Sequence, residues 1–155
     1  MEGAKMGEKA KEGLDLFKKG YFCSQAVLVA FCEDLGMDRQ TALRVASGFG
    51  GGMGRMGEVC GAVTGAFMVL GLEAWSAGLP SVEEKNKVVA RIREFSETFK
   101  QRHGSILCKD LLGGCAIGTP EGYKEATDRG LFLSVCRPVV EEVGEILEEM
   151  VQANE

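Results

Sequence analysis

Between Glu58 and Glu73 the chain carries no charged side chain, and the run GEVCGAVTGAFMVLGLEAW is apolar on nearly every side. A helix built from it has no face to offer to water, so other elements must enclose it. The uncharged stretch, Val59 to Leu72, falls well short of the roughly 18 to 20 apolar residues needed to cross a bilayer. It reads as a buried central helix. Gly57, Gly61 and Gly65 recur at every fourth position, leaving a groove in which another helix backbone could settle close beside Cys60.

The rest of the chain supplies helices to do the enclosing. Glu8 to Lys19 holds Leu14, Leu16 and Phe17 among charged residues and ends at Gly20. A second helix opens near Phe22, carries Ala26, Val27, Val29, Ala30 and Phe31, and continues to Leu35, where Gly36 stops it. Asp38 is a cap for a third helix with Ala42, Leu43, Val45 and Ala46. The run GFGGGMGRMG, Gly48 to Gly57, is too flexible for a helix and too poor in side chains for a strand, so it is a loop.

Pro80 and Ser81 open the longest helix, with Val88, Val89, Ile92, Phe95 and Phe99 as its apolar stripe and Gly104 as its stop. Ser105 can cap a short helix holding Leu107, Leu111 and Leu112, ahead of a corner at Gly113, Gly114 and Gly118. Thr119 and Pro120 read as the cap and first residue of the next helix. The last starts near Pro138, buries Val139, Val143, Ile146, Leu147 and Met150, and turns Glu141, Glu142, Glu145, Glu148 and Glu149 to water. No strand-like alternation and no repeat occur. The expected fold is all-α, one domain over residues 1–155, with six to seven helices bundled around the central apolar one.

A chain of 155 residues with 45% hydrophobic content can bury one core. Its formal net charge of -5 argues against nucleic acid as a partner. Met1 to Lys19 lacks the apolar run of a secretory signal, and nothing is long enough for membrane insertion. Cytoplasmic placement is the expectation, and there six cysteines need an explanation other than permanent disulfides.

Four of the six share a position. Cys23 follows the Gly20 break, Cys60 follows the Gly-rich loop, Cys108 lies three residues after Ser105, and Cys136 stands just ahead of Pro138. Each falls at or near a predicted helix start, where the partial positive charge and free N–H groups favour a thiolate. Thiolate is the form that attacks disulfides and binds metals. Against this stands the tendency of free cysteine to be a small buried hydrophobe. Cys32, opposite Cys23 on its helix, fits that description, and Cys115, in LLGGCAIG, could either join a site or fill a turn.

Other signals are weaker. Gly52, Gly54 and Gly57, with Arg55 between them, satisfy G-x-G-x-x-G, but a helix precedes the motif where nucleotide binding needs a strand. Arg55 could hold a small anion or favour the Cys60 thiolate. His103, at a helix end, suits a capping role. Met53 and Met56 could offer soft ligands to copper or fill gaps. No C-x-x-C-H occurs, so covalent haem is not expected, and no C-x-x-C suggests a thioredoxin-type site.

Taken together, YFCSQAVLVAF around Cys23, GFGGGMGRMGEVCGAVTGAFMVLGL around Cys60, CKDLLGGCAIGTPEG from Cys108 and GLFLSVCRPVVEEVGEIL around Cys136 resemble the C-GCAxxG-C-C family of redox-active proteins. These are helical bacterial and archaeal domains with four signature cysteines. The middle motif departs from the family name, since Gly61 follows Cys60 where the name puts glycine first. The resemblance implies a redox role for Cys23, Cys60, Cys108 and Cys136, and a partner oxidoreductase or transport system; a homo-oligomer is also open. Three functions follow as expectations. The cysteines could cycle between thiol and disulfide, with Cys60 and one or more of the other three as the working set. The same four, with Cys115 a weaker fifth, could bind an iron-sulfur cluster or another metal ion. Or the chain could be a non-catalytic accessory module.

Overall fold

The computed structural model describes residues 7–76 and 78–153, and among them the fold is all-α, 76% helical. The helices are α1 (Glu8–Lys18), α2 (Cys23–Cys32), α3 (Arg39–Ala46), α4 (Gly61–Ala74), α5 (Val82–His103), a single turn α6 (Cys108–Leu111), α7 (Pro120–Asp128) and α8 (Arg137–Ala153). The caps fall where residue chemistry puts them. Asp38 accepts the Thr41 N–H, Ser81 that of Glu84, and Thr119 that of Gly122 with Pro120 behind it, while Gly36 and Gly104 end their helices at positive φ.

Two helices form the centre. From Ala26 to Cys32 every residue of α2 is buried, and α4 buries Gly61 to Ala66 together with Val69 and Leu70. They pack closely because Gly65 has no side chain: a Cβ there would stand 2.9 Å from the Ser24 carbonyl and 3.0 Å from Val27 Cβ. Helix α3 covers α2, α5 lays Phe95 and Phe99 on α4, and α8 packs along α1 and α4. The groove read from glycine spacing exists, but it is made by Gly61 and Gly65. Gly57 lies before the helix at φ 75°, and α4 starts four residues later than its first glycine.

The structure changes three other expectations. Val89 is exposed, so the stripe of α5 is narrower than its pattern. Glu148 is 6% exposed, not solvated; its carboxylate accepts the backbone N–H groups of Gly7 and Ala10, capping α1 from another helix. And α8 is preceded without a break by a π-helical turn, Phe132–Cys136. Pro138 lacks an N–H for the carbonyl four residues back, and a wide turn relieves the clash of its ring with the preceding backbone.

Candidate functional site

The site is assembled from the starts of helices and one short backbone pairing. Phe22 is extended and caps α2, its N–H held by the Gln25 side chain, whose amide in turn bonds the Leu43 carbonyl. That fixes Cys23 as the first residue of α2. Cys60 is the cap of α4. An antiparallel bridge between Val59 and Leu107, with Cys60 N–H on the Ile106 carbonyl (2.8 Å) and Cys108 N–H on that of Glu58 (2.7 Å), lashes the approach to α4 to the start of α6. Cys108 is therefore the first residue of α6, while Ser105, expected as the cap, instead accepts the Leu107 N–H and donates to Asp110. Cys136 is not at a helix start: it closes the π turn, several residues inside a continuous helix.

All four cysteines nevertheless line one cavity of about 320 Å³. Cys60 and Cys108 are 8% exposed, and Cys23 and Cys136 half-buried. A Cβ at Gly61 would overlap Cys23 Sγ, so a glycine directly after Cys60 makes room for the other sulfur. This is a physical reason for the cysteine-glycine order that departs from the family name. Cys32 lies in the core, its thiol donating to the Val29 carbonyl. Cys115 packs near Cys108 and Cys136 but outside the cavity lining, its thiol 3.0 Å from Glu125, with Arg129 at 3.6 Å. All six cysteines are free thiols. Among the described residues no three or more His, Cys, Asp or Glu side chains are placed to hold a metal ion, so the four share a space without converging on one centre.

The electrostatics reverse the expectation of readily ionised thiols. Burial pushes the Cys23 and Cys60 thiols up, Cys60 well above the ordinary range, and pushes Cys108 up to about 11 and Cys136 to about 12. Desolvation outweighs the helix ends. At Cys23, backbone hydrogen bonding at Gly51, Ser24, Cys23 and Ala62 offsets part of that cost. Cys60 has the N–H groups of Val63 and Ala62. Negative charge on Cys23 opposes ionisation at Cys60, Cys108 and Cys136 alike, which puts Cys23 within electrostatic reach of every other cavity thiol.

The Gly-rich loop provides one wall. Gly51, Gly52, Met53, Gly54 and Arg55 run consecutively at φ between 63° and 72°, one turn of left-handed helix, tolerable because three of the five are glycine. A Cβ at Gly52 would come to 2.7 Å from Cys108 Cβ and from the Glu58 N–H nitrogen. Close packing thus accounts for the first glycine of the G-x-G-x-x-G match, and among the described residues no strand precedes it. Arg55 turns its guanidinium over the Tyr123 ring, 4.7 Å from the centroid, with Phe22 at 6.0 Å, and lines the same cavity as Cys60. Met53 and Met56 do not line the cavity. His103 stands in the last turn of α5, where the Gly104 N–H bonds the Lys100 carbonyl; its ring packs on Phe99 at 4.4 Å and its Nε2 lies 3.4 Å from Glu142.

Sequence reading missed the walls: Tyr21, Phe22, Tyr123, Phe132 and Arg137 all line the cavity. Adjacency to cysteines was the available signal, since Tyr21 and Phe22 immediately precede Cys23 and Arg137 immediately follows Cys136. Among the described residues, no helix is long and apolar enough to cross a membrane. Residues 21–150 match the family model for putative redox-active protein (C_GCAxxG_C_C). No curated protein and no solved structure matches the chain.

Proposed function

The chain belongs to the C_GCAxxG_C_C family, and from that premise we propose that it is a thiol-disulfide redox protein working through Cys23 and Cys60, with Cys108 and Cys136 in the same cavity. The observation that carries this reading is the convergence of cysteines from four separate stretches of chain on one cavity. Packing alone needs no such gathering, and Cys32 and Cys115 show where this fold puts cysteines that merely fill space or bond locally.

The half-reaction converts two thiols to a disulfide, two protons and two electrons. Cys23 gives up its proton first, because backbone hydrogen bonding offsets part of its burial cost and its charge opposes ionisation at the other three, and the resulting thiolate is the attacking species. Cys60 is its partner, since the glycine after Cys60 abuts Cys23 Sγ. Cys108 and Cys136 then form a second thiol pair within reach of the first. A reducing compartment such as the cytoplasm keeps all of them free until an acceptor arrives. A partner oxidoreductase or transport system would stand on the donor side and restore the thiols.

Equilibration of the full chain in graded dithiothreitol redox buffers, with free thiols counted after acid quench, tests the reading. Two thiols should disappear together at a single potential. Retention of all six thiols through the oxidising end of the series would overturn it. Anaerobic metal and sulfide analysis discriminates the metal-ligand alternative, in which the four thiolates would have to move together from their present spread.

A further inference from the structure

The cavity differs in chemistry from the rest of the molecule. The chain holds 23 acidic residues against 18 basic ones, yet among the described residues no carboxylate lines this cavity, and the two charged side chains that do are both arginines, Arg55 and Arg137. Five of the chain's eleven aromatic side chains stand in its walls, including both tyrosines. Tyr123 packs against Phe132 with ring centroids 5.4 Å apart and carries Arg55 on its face. Together they form an aromatic wall of the thiol cavity, its two rings tilted 41° to one another.

Size and polarity narrow the occupant. A volume of about 320 Å³ lies at the low end for small-molecule sites, enough for a compact ring system, and Cys60 and Cys108 are only 8% exposed. A peptidic disulfide is a poor fit. Its amides would be buried among aromatic and aliphatic walls with few side chains to bond them, at the cost of unsatisfied polar groups. A planar ring offers stacking to the aromatic walls, and carbonyl oxygens on that ring, gaining negative charge as it is reduced, suit the two guanidinium groups.

We infer that the electron acceptor of the cavity thiols is a small quinone, bound against Tyr123 and Phe132 with its oxygens toward Arg55 or Arg137. The inference rests on the thiol-disulfide reading above. The step balances: the Cys23 thiolate gives up electrons to the quinone ring as its sulfur bonds to the sulfur of Cys60, the two S–H bonds are lost, and the two electrons and two protons leave on the quinone as hydroquinone.

The test uses the full-length reduced chain, anaerobically, with 2,3-dimethyl-1,4-naphthoquinone, whose quinone ring has no open position for simple thiol addition. One hydroquinone should form for every two thiols lost, at a rate that saturates with quinone. Replacing both arginines together, Arg55→Gln with Arg137→Gln, should raise the half-saturating concentration for the quinone several-fold, a larger change than any in the rate of oxidation by diamide. Naphthalene-2-sulfonate, a redox-inert aromatic anion, should slow the wild-type reaction competitively, a readout that needs no variant to fold. If diamide oxidises a cavity thiol pair while the quinone takes no electrons, or takes them without saturation and indifferent to the competitor, the quinone inference fails and the thiol-disulfide reading stands. If neither oxidant removes thiols, both fail.

Discussion

Replacing Gly61 by alanine adds one methyl group at the point where α4, α2 and the Gly-rich loop meet. Its Cβ would overlap Cys23 Sγ and stand 3.0 Å from the Phe49 carbonyl oxygen and 3.3 Å from Gly50 Cα. Two of those neighbours are backbone and cannot rotate away. Overpacking of this kind costs about 1 to 3 kcal/mol. Gly71 lies in the same helix with no positive φ and open space where its Cβ would go, so Gly71→Ala should stabilise by about 0.5 to 1 kcal/mol through helix propensity and chain entropy. The two variants should therefore move in opposite directions. At about 2 to 4 °C per kcal/mol for a domain of this size, Gly61→Ala should melt several degrees below the parent and Gly71→Ala slightly above it. Urea unfolding under reducing conditions, with unchanged slope, gives the free energies. Gly61→Ala should also alter the alkylation rate of Cys23, which Gly71→Ala should not. Equal stability of the two alanine variants would refute the claim that Gly61 makes room for the sulfur.

Other outcomes follow from the same contacts. Glu148→Ala should cost about 2 kcal/mol, because two N–H groups at the start of α1 lose a buried charged acceptor; thermal unfolding measures it. Cys108 and Cys136 stay protonated in the fold up to about pH 11 and 12, whereas unfolded thiols ionise near pH 8.5. The unfolded chain thus releases protons first as pH rises. Stability from these groups is complete below about pH 8.5 and is lost progressively up to their folded-state values, visible as a falling urea midpoint above pH 9. Cys115→Ser should leave the number of thiols lost on mild oxidation unchanged, since Cys115 bonds Glu125 outside the cavity.

What could be read from residue order was whatever is local. Asp38, Ser81, Thr119 and Pro120 declare their caps because a short oxygen or a fixed φ acts within three residues, and the uncharged run of α4 implies its burial without knowledge of its neighbours. The gathering of four cysteines was foreshadowed by their placement near breaks in the helical pattern. Their ionisation was misjudged for a reason that is not local: other stretches of chain cover each thiol and strip away water that would solvate a thiolate. The π turn at Cys136 escaped because Pro138 looks like a helix start to a reader who cannot see that Phe132 to Cys136 already coil. Glu148 escaped likewise, its partners lying at the opposite end of the chain.

The pairing of sulfurs after mild oxidation bears most directly on the site. Differential alkylation with peptide mapping should find Cys23 joined to Cys60 within one chain, with Cys32 and Cys115 still carrying free thiols. A map in which Cys23 and Cys60 remain free, or in which only Cys32 and Cys115 have reacted, would contradict the assignment of the cavity as the redox centre.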